Sequence, residues 1–271
     1  MRPLPAVLAL ALPLAAPLAA QERIPSDCAA PPAVAAMPER LHLAGVRDPL
    51  AADAVRISFI DHASALIQTP DVAAVTDYSG LLGPTTLVPD VATMNIAHSS
   101  HWTPDPDPRI AHILPGWAED GVPAAHSVDL GEMLVRNVPT DLRDGEAVTA
   151  DGNSIFVFEA AGLCIGHLGH LHHMPTEEDF ALIGRLDVVL APVDGGLTLD
   201  HPTMIAVLEE FRARVVIPVH WWSQGTLERF LDGMSPDYAV ERAGASEVVL
   251  SLDAMPERPT IVVLEPSLLS D

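Results

Sequence analysis

The second half of this chain alternates strand-length apolar runs with helix-length amphipathic ones, and that order restricts the fold more than any other feature. LDVVLAPV is followed by HPTMIAVLEEFRA with Pro202 in its first turn, then by RVVIPVH and QGTLERFLDGM. These read as strand, helix, strand, helix. A further helix start is predicted at Thr176, where a hydroxyl and the acidic run Glu177, Glu178, Asp179 suit free N–H groups and the positive end of the dipole. The first half is built of hairpins instead. VRISFIDHASALIQT reads as two strands joined by a tight turn at Asp61-His62, VAAVTD and VATMNIA as further strands, and NSIFVFEA with GLCIGHL as a hairpin around Ala161-Gly162. A Pro-rich loop, TPDPDP, and short β-like pieces up to Arg136 lie between. Hairpins first and β-α alternation later predict a layered α/β sandwich, and no GxGxxG opens a helix, so a dinucleotide-binding sheet is not indicated.

Residues 1–20 are expected to be a cleavable export signal: Arg2 precedes an apolar run of Leu, Ala and Val broken only by Pro, and the small Ala19 and Ala20 are followed by Gln21 and Glu22. The run is too short and too Pro-rich for a membrane span. Residues 21–54, rich in Ala and Pro, read as an N-terminal arm, and the domain proper as residues 55–271. The mature protein is expected in the periplasm or outside the cell, without a membrane anchor. Net charge of −23 argues against nucleic acid and anionic lipid as partners; the expected partner is a small-molecule substrate. The two cysteines, Cys28 and Cys164, would sit where oxidation is permitted, and both a disulfide and two free thiols remain open.

Four of the twelve histidines, His167, His170, His172 and His173, fall at the end of one apolar strand, in GLCIGHLGHLHH. An imidazole has two nitrogens to satisfy, so such a cluster points to metal ligation, proton transfer, or hydrogen bonds that support either. His98 and His101 follow the strand VATMNIA, and His220 ends RVVIPVH. Loops beyond strand ends converge on the usual ligand site of an α/β sheet, so these histidines can share one pocket. His62, His172 and His173 are candidates to back the site or shuttle protons. Asp194, beside Gly195-Gly196, is a candidate general base or added ligand.

ISFIDHASALIQTPDVAAVTD, CIGHLGHLHH and LDVVLAPVDGG followed by RVVIPVHW resemble segments of the metallo-β-lactamase superfamily, and within it the UlaG-like metal-dependent hydrolases. The resemblance runs from about Val55 to Trp222. It implies an αββα sandwich with a metal site at one edge, and hydrolysis of an ester, amide or phosphoester by metal-activated water. It also matches Asp77 to a residue that orients the metal loop from behind. The departures are specific. Where the family has HxHxDH, this chain reads HSSHWT, so Ser100, Trp102 and Thr103 stand at the places of a His, an Asp and a His. His170 stands where the family has a metal-bridging Asp. NVPTDLRDG has no counterpart of a further ligand His.

On this resemblance His98, His101, His170 and His220 form an all-imidazole ligand set for one zinc ion, with other divalent metals compatible. His62, Asp77, His167 and His172 stand behind the ligands, and His173 and Asp194 move protons. The expected function is a secreted metal-dependent hydrolase. The alternative is a periplasmic protein that keeps the fold and binds a metal or small ligand without catalysis. Oligomeric state is not readable.

Overall fold

The computed structural model describes residues 26–29 and 48–271, except 146 and 235. The expected signal segment, residues 1–20, and most of the arm lie outside the described residues. From Ala54 onward the chain forms two stacked sheets. The first takes β1 (Ala54–Asp61), β2 (Ser64–Gln68), β3 (Ala73–Val75), β4 (Val91–Met94), β5 (His112–Pro115) and the late strand β13 (Glu247–Ser251), in the order β13-β1-β2-β3-β4-β5. The second takes β6 (Ser127–Asp129), β7 (Met133–Asp144), β8 (Ala147–Ala160), β9 (Leu163–His167), β10 (Val188–Pro192), β11 (Val215–Val219), β12 (Ala239–Arg242) and β14 (Thr260–Val263). Their order is β12-β14-β11-β10-β9-β8-β7-β6.

Alternation along the strands sorts the core into layers. Ile57, Phe59, Ile67, Phe156, Phe158, Ile165, Leu190 and Ile217 fill the space between the sheets. The opposite faces of β8 to β11, with Ile155, Val157, Val189 and Val216, are covered by α1 (Glu177–Ile183), α2 (His201–Phe211) and α3 (Gln224–Met234) through Ile183, Met204, Leu208, Leu227 and Phe230. β9, β10 and β11 carry both faces buried, which is why they read as unbroken apolar runs. The outer face of the first sheet is closed by Tyr78, Ile110, Leu269 and partly buried Leu82, Leu87 and Trp117 from irregular segments. The α/β sandwich is therefore present, with its second outer layer made of loops. Among the described residues no helix is long and apolar enough to cross a membrane.

Local signals explain the element boundaries. Thr176 caps α1 in a reciprocal box with Asp179, and Asp200 caps α2 ahead of Pro202. Ala161 and Gly162 both have positive φ, 51° and 75°, as a two-residue turn matching the twist of β8 and β9 requires. Cys28 is bonded to Cys164 of β9, with Cα atoms 5.8 Å apart, which fastens residues 26–29 to the helix-covered face. In the long β7-β8 hairpin, β7 runs well past Arg136, the limit of the short β-like pieces expected there, and β8 begins before the expected strand NSIFVFEA. The hairpin's far half, on both sides of the turn at Gly145, is mostly exposed, so it lacks the apolar alternation that marks a strand.

Candidate metal centre

Parallel neighbours β9, β10 and β11 end at the same edge of the sandwich, and each hands its next residues to that edge. β9 leads into His167–His173, β10 into Asp194 and β11 into His220. From the facing sheet, the β1-β2 turn brings His62, β3 leads to Asp77, and β4 leads to His98 and His101. Three of the seven described non-glycine residues with positive φ lie here: His62 at 48°, Asp77 at 44° and His220 at 55°. Left-handed backbone is costly for such residues and persists where surrounding contacts impose it. The His220 amide donates to the His62 carbonyl at 2.7 Å, so two of these turns brace one another across the sheets.

His62, His101 and His220 each offer a ring nitrogen, and these nitrogens all lie within 4.8 Å of one another. Tetrahedral zinc with N ligands at 2.0–2.1 Å implies nitrogens about 3.3 Å apart, so small side-chain shifts would close the group on an ion. The two deepest members are already oriented for it. His101, fully buried, donates from Nδ1 to Asp77 Oδ2 at 2.6 Å, and His220, also buried, donates from Nδ1 to Asp194 Oδ2 at 2.9 Å. Both carboxylates therefore fix the tautomer that leaves Nε2 with its lone pair. Nε2 of His101 and Nε2 of His220 are buried and have no hydrogen-bond partner. An orphaned buried acceptor is expensive in a folded protein, and carboxylate-histidine pairs are the usual backing of a metal ligand. These residues fit a divalent metal.

The supporting groups are themselves held. Asp77 Oδ1 accepts from the Asn95 amide at 3.0 Å. Asp194 Oδ1 accepts from the amides of Gly196, Leu197 and Thr198, while its Oδ2 also accepts from the Thr198 hydroxyl at 2.6 Å. Burial opposes both negative charges, but His101, His167 and the Asn95 amide for Asp77, and His220 with the Thr198 and Gly196 donors for Asp194, hold both carboxyls below the usual range. Burial, then His220 and His101, push His62 down to about 3. His167 is also lowered by burial. It donates from Nε2 to the Ala63 carbonyl at 3.0 Å and thereby supports the turn that carries His62.

The other sequence-predicted residues take distinct places. His98 is exposed, its Nδ1 2.9 Å from the Ser100 hydroxyl and its ring 5.9 Å from that of His101, outside the three-nitrogen group. His170 has its ring 5.0 Å from both His101 and His220, but its nitrogens also fall outside that group. His172 bonds to His170 and to the Arg143 amide. His173 is half-buried, with Nε2 lacking a partner. Asp194 is occupied by five donors and orients His220, so no free carboxylate lone pair faces the centre as a base would need. Exposed Trp222 stands 4.8 Å from His62 and 5.7 Å from His220. A cavity of about 710 Å³ lies elsewhere, lined by residues such as His126, Arg136, Val138 and Leu182. The chemistry is placed by the orphaned nitrogens, not by that hollow.

The model of a beta-lactamase superfamily domain matches residues 56–220. A UPF0173 metal-dependent hydrolase of Methanosphaerula palustris is 24% identical over 212 residues, covering 72% of this chain and 96% of that protein. Among solved structures, one from Thermotoga maritima, described as a candidate Zn-dependent hydrolase of the metallo-beta-lactamase superfamily, aligns with TM-score 0.54 and 23% identity over 78% of this chain and 98% of the other. A metallo hydrolase from Ignicoccus hospitalis aligns with TM-score 0.51 and 14% identity, covering 68% of this chain and 91% of that one.

Proposed function

This chain belongs to the beta-lactamase superfamily, and from that membership and its three convergent histidines we propose that it is a metal-dependent hydrolase. The observation that carries the reading is the pair of buried, unpartnered Nε2 atoms on His101 and His220, each backed by a carboxylate, with a nitrogen of His62 beside them. Three neutral imidazoles suit one zinc ion and leave its charge uncompensated at the centre, although copper and iron also accept such donors. Bound there, the ion supplies Lewis acidity, acidifying water and polarising a carbonyl or phosphoryl oxygen. The chain's own part is positional. Asp77 and Asp194 hold the ligand tautomers, the interlocked turns of His62 and His220 hold the spacing, and Trp222 offers an aromatic wall to the substrate. The substrate is a small molecule with an ester, amide or phosphoester bond.

The protein is read as exported, a reading that the apolar N-terminus and the Cys28–Cys164 bond support. Its function is tested by stripping the purified protein with a chelator, restoring zinc stepwise, and assaying a p-nitrophenyl ester, an anilide and a bis-p-nitrophenyl phosphate. Turnover of one class that returns with about one equivalent of zinc and is lost in His101→Ala is expected for the hydrolase. Zinc uptake without turnover of any class would favour the non-catalytic metal-binding alternative.

A further inference from the structure

The hydrogen bonds behind His170 have a fixed direction. A backbone amide can only donate, so the Arg143 amide, 2.9 Å from His172 Nδ1, requires a lone pair on that nitrogen. A neutral His172 then carries its proton on Nε2. That nitrogen lies 2.5 Å from His170 Nδ1, which must therefore accept. A neutral imidazole that accepts at Nδ1 bears its proton on Nε2, so the relay ends in an N–H on the edge of the His170 ring away from its His172 bond. The His170 main chain is fixed as well, its amide donating at 3.0 Å to the buried Asn153, whose own amide group holds Thr140 Oγ1 at 2.8 Å. The ring is perpendicular to His101 and His220, at 90° and 87°, with its centre 5.0 Å from each.

We propose that His170 is a hydrogen-bond donor beside the three-histidine centre and not one of its ligands. In the hydrolase reading, on which this role rests, its Nε2–H meets the substrate oxygen on which negative charge builds, as a preorganised oxyanion donor does.

The test is a long-range ¹H–¹⁵N correlation spectrum of the ¹⁵N-labelled full chain, metal-free and zinc-loaded, with His170 assigned through His170→Gln. The expected result is an unprotonated Nδ1 and a protonated Nε2 on His170 in both states. A proton on Nδ1, or loss of the Nε2 proton on zinc addition, would overturn the assignment. Zinc titration gives a second reading: His170→Gln keeps one equivalent with affinity within about threefold, whereas a hundredfold loss, the scale expected for removing a ligand or its support, contradicts it. Neither readout uses turnover, so absence of hydrolysis would count against the hydrolase reading and leave the tautomer result standing.

Discussion

Replacing Asp77 by Asn removes one oxygen and no volume, and its consequence for metal binding can be worked out atom by atom. Asn tolerates the left-handed backbone that Asp77 adopts at φ 44°, so the turn itself survives. The side-chain oxygen has two claimants, the Asn95 amide at 3.0 Å and His101 Nδ1 at 2.6 Å. If it faces Asn95, the new NH₂ group faces His101 and forces Nδ1 to accept, which moves the imidazole proton to Nε2. If it faces His101, two N–H donors oppose one another in a fully buried site. The first arrangement disables the nitrogen the metal needs, and the second leaves an unsatisfied donor worth about 1–3 kcal/mol. Loss of such outer support costs about 10- to 100-fold in metal affinity, or roughly 1.4–2.7 kcal/mol. Competition with a chromophoric chelator measures this directly, with thermal melting of the metal-free protein as a control for folding. An affinity within about twofold of the parent, in a variant that melts normally, would refute the claim that Asp77 sets the His101 tautomer.

Acidification should destabilise the metal-free protein from about pH 6.5 downward. His62 and His170, both lowered mainly by burial, to about 3 and about 2, stay neutral when folded, while the unfolded chain takes up protons near pH 6.5. The unfolded state binds more protons in that window, so stability falls as pH falls, and Asp77 and Asp194 extend the loss below about pH 4, as those carboxyls protonate first in the unfolded chain. Melting temperatures that stay flat between pH 7 and 4.5 would contradict this. Removing the disulfide by Cys28→Ser with Cys164→Ser should cost up to about 5 kcal/mol by loop entropy for residues 136 apart, read as a lower denaturant midpoint; an unchanged midpoint would refute a stabilising role. Gly169→Ala places a Cβ within 2.1 Å of Asn95 Nδ2 at a φ of +59°. It should weaken both stability and zinc affinity, whereas Gly121→Ala, with open space around it but a left-handed φ of +76°, should cost about 1–2 kcal/mol and leave zinc affinity unchanged; equal zinc affinity in both variants would separate Gly169 from the centre.

The parts of this fold that local patterning specifies were legible in the sequence. Unbroken apolar runs marked β9 to β11 because both their faces are buried, and capping residues marked the starts of α1 and α2. The strands after α3 were not legible: β12 is short and largely exposed, and β13 finds its partner β1 almost two hundred residues away, a pairing with no local signature. At the site, spacing identified the strand ends and most of the histidines. It could not rank them, because a ligand differs from its neighbour by which nitrogen is buried and what holds the other one. His62 sits in a tight turn whose left-handed backbone, opposite His220, brings it into the three-nitrogen group. His98, first in its loop, faces solvent, and the carboxylate that claims His101 comes from a different strand.

Anomalous diffraction at the zinc edge from crystals of the zinc-loaded protein tests the centre most directly. The account predicts one ion bound by Nε2 of His101, Nε2 of His220 and a nitrogen of His62, with Asp77 and Asp194 still on the opposite nitrogens and His170 unbound. An ion held by His98 and His170, or a second ion beside the first, would contradict it.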